Sequence, residues 1–532
     1  METPAAAATS AIPTLPAIPT PAETFQLDRE PQASTLPSTV EYGTGGVGLA
    51  AVRTAFISVM MLAETFRQPG STITPSGAPG KGFVTEVLRN EFLTAESMCR
   101  HRTERMMPDR SDPAFPALHG RPSRGWVNDP NGCSFIDGRY HLFFQHNPDA
   151  PLHAGIKWGH ASSTDLVHWR QEPVALVNRP GEADEYGCWS GCVVDDNGVP
   201  TAVYSAVADD SYRAEVLLAY SDRQLRTWRQ TREPVARTPD DPAISHVRDP
   251  FVVRIEGHRY AIQGAGHTRG RPRVLIHGCD DLSSWTDLGT FLSGDDPVAA
   301  DVAPANIWEC PNLVRLGDRW VLIVSLWHRV NGSYPLVGVR YLVGDVRVGP
   351  EGPRFIPTSG GQLDRGPCFY APQVLQLEGR VLLWGWSWER ERTEADVAAA
   401  GWAGALTFCR EITLVGDILV SRPARELDQL RQEPLDLAED GSIAATAFDI
   451  DLDAVARRAS LWLVDGSDEQ LVTEVDLQDG PGAPRILVDG SMVEIFDGSG
   501  TAFTTRAYPN ATSRWILRLD HPAPLRVWRI GI

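Results

Sequence analysis

Three acids stand where they could share one reaction: Asp129 in "WVNDPNG", Asp249 in "VRDPFVV" and Glu309 in "WECPNLV". Alone, Asp129 is a turn residue, since Asn, Asp, Pro and Gly all favour turns. The spacing of the three gives it more meaning. A Gly followed by an apolar or aromatic run recurs at Gly138, Gly198, Gly257, Gly317 and Gly379, at intervals of 60, 59, 60 and 62 residues. A second marker keeps the same phase, with "TDLVHW", "RQLRTW" and "DDLSSW" ending at Trp169, Trp228 and Trp285. Counting back eight residues from four of these glycines, and nine from Gly138, reaches Asp129, Ser190, Asp249, Glu309 and Ala371. Three of the five equivalent positions are then carboxylates.

Paired carboxylates across a sugar-sized pocket cleave glycosidic bonds, one ionised to attack or to activate water and one protonated to release the leaving oxygen. Burial and like charge hold the proton on one of them. A third acid can grip sugar hydroxyls. Calcium or magnesium is the competing use of three acids. The separations of 120 and 60 residues, and the lack of a phosphate-binding Gly-rich loop, disfavour it. No metal and no cofactor are expected.

The elements that must position these acids follow from the repeat. A period near 60 residues with several short strands is one four-stranded propeller blade. Five blades are predicted over about 126–425. In a propeller the first strand of each blade lines the axis, so equivalent positions converge on one funnel. Trp126, Trp158, Trp189 and Trp308 lie nearby and could cover the apolar faces of a sugar. Asn128, Gln145 and Arg248 supply donors for its hydroxyls.

These motifs resemble glycoside hydrolase family 32, the β-fructosidases. The resemblance rests on "WVNDPNG", "FFQHNP", "WGHASSTDLVHW", "WSG", "RDP", "EC" and "FYAPQ", in that order over about 300 residues. The segment "RILVDGSMVEIFDGSGTAFTTRAYP" is similar to the C-terminal β-sandwich of that family. The resemblance implies an all-β fold: an N-terminal extension over 1–110, a five-bladed propeller over 121–425 and a β-sandwich over 430–532. It implies a retaining enzyme that releases fructose from sucrose or fructans through a covalent intermediate, with Asp129 as nucleophile, Glu309 as general acid/base and Asp249 as transition-state stabiliser. It also implies substrate-binding positions at Asn128, Gln145, Trp158, Trp189, Ser190, Arg248, Cys310 and Tyr370. Val127, His146, Trp189 and Cys368 depart from the commoner family residues and leave the preferred leaving group open. An inverting arabinanase or xylosidase, or a silent sugar-binding propeller, would share the architecture.

The remaining features bound the setting. A formal charge of −19 over 532 residues argues against nucleic-acid or anionic-membrane partners. The expected partner is a fructoside. Eight scattered cysteines suit free thiols and a reducing compartment. The first fifty residues hold one basic residue, Arg29, so no secretory signal is expected, and a cytoplasmic location follows. The Pro/Ala-rich start predicts poorly ordered chain, and the apolar run from Leu49 to Leu62 predicts a short packed helix.

Overall fold

The computed structural model describes residues 112–211, 213–328, 335–452, 457–477 and 482–532. The predicted extension over 1–110 and its helix lie outside them. The described chain is built almost wholly of strands, with two short α-helices, Pro297–Val302 and Glu394–Ala400. Among the described residues no helix is long and apolar enough to cross a membrane, and all seven cysteines are buried free thiols.

The repeat read from sequence is a run of antiparallel meanders. Gly125–Ile136, Arg139–Asn147, Lys157–Ser163 and Arg170–Gln171 make the first, and Gly187–Asp196 through Trp228–Gln230 the second. The third opens with Ile244–Ile255 and the fourth with Ile307–Leu316; one pair, Gly266 with Ile307, joins them into an eight-stranded sheet. The fifth opens with Tyr370–Leu377.

The opening strands touch in sequence, and Tyr370–Leu377 touches Gly125–Ile136 again, so they form a closed circuit. Apolar clusters fill the space between successive sheets. Phe143, Trp158 and Tyr204 join the first to the second, and Ile262, Val274, Leu313 and Leu322 the third to the fourth. Val314, Ile323, Val374 and Leu383 join the fourth to the fifth. A late segment, Trp402–Ala403, pairs in parallel with Gly125 and Trp126 and ties the end of the run to its start.

The repeated Trp has a local cause. Each indole N–H donates to the carbonyl three residues earlier: Trp169 to Leu166 (3.0 Å), Trp228 to Leu225 (3.2 Å) and Trp285 to Leu282 (2.8 Å). The three leucines are buried, so the pair pins one corner of each sheet to the core.

The hairpin turns correct the register counted from sequence. Four of the five place Gly second in a two-residue turn, as in Glu256–Gly257, where both residues have positive φ (50° and 90°). The fourth hairpin closes from Leu316 to Arg319 around Gly317–Asp318, with Gly first and at φ 65°. Type I′ and II′ turns place their obligatory glycine differently, so the landmark moves by one residue while the strands do not. In the true register Glu309 is level with Asn128, Trp189, Arg248 and Tyr370. Asp129 and Asp249 share the next level with Ser190, Cys310 and Ala371. Positive φ at Asp249, Cys310 and Ala371, each one residue into a strand irregularity, marks that second level.

After Pro423 the chain enters two further sheets, one of six strands running from Arg431–Leu435 to Ala502–Arg506 and one of four containing Arg458–Asp465 and Arg514–Leu519. Phe448, Ile450, Val488 and Val527 of the first pack with Leu461, Val475, Trp515 and Leu517 of the second in one core. The segment before the first meander straps onto this region: Ser491 N donates to Ala114 O (2.8 Å) and Leu118 N to Asp489 Oδ2 (2.7 Å).

Candidate active site

Both levels converge on one pocket of about 290 Å³. Asp129, Asp249 and Glu309 line it with Asn128, Gln145, Arg248 and Tyr370. Trp126, Trp189, Trp327 and Trp386 give it aromatic walls, and His153 and Leu336 complete the rim. Mostly apolar walls with a few convergent polar groups suit one sugar ring.

Asp129 is held by its neighbours' donors. Ser190 Oγ (2.6 Å) and Gln145 Nε2 (3.1 Å) donate to Oδ2, and the Cys310 thiol lies 3.6 Å from the same oxygen. Oδ1 accepts from Asn128 Nδ2 (3.0 Å), itself oriented by the Trp126 indole N–H on Asn128 Oδ1 (2.7 Å). Asp249 accepts the Cys310 backbone N–H at 2.9 Å and lies 3.5 Å from its sulfur. Glu309 is gripped on Oε1 by Arg248 Nε (2.9 Å) and Nη2 (2.7 Å), and on Oε2 by the Tyr370 hydroxyl (2.6 Å). The Arg248 guanidinium lies over the Trp327 ring at 4.8 Å and the Trp189 ring at 5.8 Å, which fixes its direction.

The electrostatics follow from crowding acids in a dry pocket. Burial, aided by the negative charge of Glu309, raises the Asp129 carboxyl above its ordinary value, against the bonds from Ser190 and Asn128. Burial lifts Asp249 to about 7; Arg248 opposes the rise, while Glu309 and Asp129 add to it. Burial and then the charge of Glu309 push the Tyr370 phenol well up, so it remains a donor to Glu309. Burial and the neighbouring carboxylates also raise Cys310, which stays a neutral thiol.

Of the residues singled out from sequence, Asp129, Asp249, Glu309, Asn128, Gln145, Trp126, Trp189, Arg248 and Tyr370 meet at the pocket wall. Four do not line it, among them Trp308, which is fully buried in the core with its indole N–H donating to Ala303 O at 2.9 Å. Trp158 is fully buried behind it, its indole N–H donating to Trp189 O at 3.0 Å. Ser190 and Cys310 lie beneath the acids and reach the pocket through them. Side chains alternate between faces along a strand, and neither sequence spacing nor motif separates a wall residue from its support. The sequence reading missed His153, Trp327, Leu336 and Trp386 as wall residues. Trp386 sits on the strand after Tyr370–Leu377, paired with Tyr370, and an aromatic run there was its available signal.

The family model described as "Glycosyl hydrolases family 32 N-terminal domain" matches residues 119–431, and that described as "Glycosyl hydrolases family 32 C terminal" matches 445–517. A sucrose-6-phosphate hydrolase of Zymomonas mobilis is 36% identical over 60% of this chain, which spans 63% of that enzyme, less than two thirds of its length. The Escherichia coli sucrose-6-phosphate hydrolase is 32% identical over 79% of this chain and 96% of its own length. Among solved structures, the sucrose-6-phosphate hydrolase of Lactobacillus gasseri superposes with TM-score 0.68 at 23% identity, covering 80% of this chain and 94% of that one. A Bombyx mori GH32 β-fructofuranosidase in complex with sucrose gives 0.66 at 24%, covering 79% and 94%. The structural matches speak for the fold; the span of the family model and the E. coli relative go further, and by them this chain belongs to glycosyl hydrolase family 32.

Proposed function

We propose that this chain is a retaining β-fructofuranosidase whose catalytic part is a five-bladed propeller followed by a β-sandwich. The observation that carries the reading is the convergence of Asp129, Asp249 and Glu309, from three separate opening strands, on one aromatic-walled pocket sized for a single sugar ring. The closed circuit of five opening strands supports the blade count. Relatives named sucrose-6-phosphate hydrolase, raffinose invertase and fructan 1-exohydrolase point to a substrate ending in a β-fructofuranosyl unit.

In this reading Asp129 attacks the anomeric carbon. Ser190 and Gln145 donate to its Oδ2, whereas Asn128 is the side-chain donor on Oδ1, so the less crowded Oδ1 is assigned as the attacking atom. Glu309 gives a proton to the departing oxygen and later takes one from the water that cleaves the fructosyl-enzyme. Tyr370 and Arg248 hold its two oxygens in place throughout. Asp249, fixed by the Cys310 backbone, accepts hydroxyls of the fructosyl ring, and these bonds tighten as positive charge develops on it. The Trp walls cover the apolar faces of the ring.

Turnover of sucrose in methanol, followed by proton NMR, tests the mechanism. Methyl β-fructoside is the expected early product. An inverted methyl fructoside would remove the covalent intermediate, and no fructose from sucrose, sucrose 6-phosphate or any fructan would remove the activity.

A further inference from the structure

His153 lies on the rim between Lys157–Ser163 and the strand before it, within the sequence "NPDAPLHAG". Its ring meets Trp126 edge-on at 6.0 Å and Trp189 at 5.5 Å, so both aromatic walls set its position. Its Nε2 stands 3.3 Å from Gln145 Oε1. The other end of that amide faces the acids, with Gln145 Nε2 2.7 Å from Ser190 Oγ and 3.1 Å from Asp129 Oδ2. The desolvating pocket walls lower the His153 pKa, while Glu309 pulls the other way, so the neutral ring prevails. The charged groups facing this corner are Asp129, Asp249, Glu309 and Arg248.

A glutamine amide has two ends of nearly equal shape and opposite polarity. With its oxygen turned toward Asp129, the amide would repel the carboxylate instead of binding it. Among the described residues, His153 is the hydrogen-bond partner of Gln145 that takes up the oxygen end. We infer that His153 is a positioning residue: its Nε2–H donates to Gln145 Oε1, keeps the amide NH2 on Asp129 and Ser190, and thereby holds the attacking carboxylate in its ionised form. The role rests on the proposed nucleophile, and its test does not depend on turnover.

The test compares His153→Phe, which keeps a flat ring between the two tryptophans without a donor, with His153→Gln, whose amide can donate to Gln145. Carbon-13 NMR of protein labelled at aspartate side chains follows the titration of Asp129 in the free enzyme, with Asp129→Asn identifying its resonance. His153→Phe should raise the Asp129 pKa by roughly 0.5–1 unit, as expected when a hydrogen bond to the charged form is lost, and His153→Gln should return it most of the way. On an active substrate, the acid limb of kcat/KM should move to higher pH by the same amount, with kcat falling about tenfold or less. Gln145→Leu combined with His153→Phe should be no worse than Gln145→Leu alone, because one residue acts through the other. An unmoved Asp129 titration, or a loss in His153→Phe that appears in KM alone and that His153→Gln does not restore, would overturn the role. Wild-type enzyme inert on every fructoside would sink the proposed activity, while the titration still decides the role of His153.

Discussion

At the scale of residues, the site rests on a division of labour between two adjacent positions on each opening strand. One level presents Asn128, Trp189, Arg248, Glu309 and Tyr370 to the pocket, and the next supplies Asp129 and Asp249, with Ser190 and Cys310 beneath. In the proposed mechanism Glu309→Gln should slow release of sugar leaving groups by roughly 10²–10⁴-fold, the usual worth of a general acid. The loss should shrink on aryl fructosides, whose leaving groups need less protonation; equal losses on both would assign the proton elsewhere. Asp249 makes a different prediction. Its folded pKa stands at about 7 against an ordinary 3.8, so the native state holds a proton that the unfolded chain gives up. Stability is then highest below the unfolded value and falls as pH rises toward 7. Asp249→Asn removes that cost. Its melting temperature should exceed that of the wild type by roughly 2–5 °C at pH 7.5, with the gain vanishing near pH 4, while activity is lost. Calorimetry at the two pH values checks it.

At the scale of elements, the turns decided how much could be read in advance. The Gly and Trp markers are visible in the sequence because a hairpin needs its glycine and each corner needs its indole, and both needs are local. They were enough to find Asp129 and Asp249. The same count reaches Glu309 only because the fourth hairpin moves its glycine to the first turn position; its motif, rather than its register, identifies it. Trp158 and His153 show the opposite limits. Trp158 carries the family motif yet packs behind the pocket, and His153 sits in a loop whose path no periodicity dictates. Packing between sheets sets a further constraint. At Gly404, φ is 71° and an added Cβ would stand 1.8 Å from Val127 O, on the strand that carries Asp129. Gly404→Ala should cost about 2–4 kcal/mol, combining left-handed strain with displacement of that strand. Urea unfolding measures the cost, and a variant as stable as wild type would mean that the strand yields freely.

At the scale of the whole molecule, the meanders and the C-terminal sheets are joined by buried charge. Arg410, fully buried, bonds Asp364 (2.7 Å), Glu494 (2.7 Å) and Thr504 (2.6 Å), and Glu494 also faces His119 of the strap at 3.4 Å. Arg410→Met would leave Asp364 buried without its cation and Glu494 with His119 alone, at a cost of about 3–5 kcal/mol. The protein should melt earlier as one unit if the two parts unfold together, and a separate early transition for the C-terminal sheets would show that they do not.

The parallel pairing of Trp402–Ala403 with Gly125 and Trp126 bears on how the molecule comes into being. The first sheet is synthesised early but gains this last strand only when the chain has reached residue 403. At ribosomal speeds that interval is on the order of tens of seconds. Throughout it the edge at Gly125 and Trp126 stands open, and an unpaired edge is a template for other chains. The two carboxyls that cooperate in the proposed mechanism also reach the ribosome exit long apart, Asp129 well before Glu309. A nascent chain can thus hold folded meanders before the ring is complete, and in the proposed mechanism activity should appear only once residue 403 has emerged and the ring has closed.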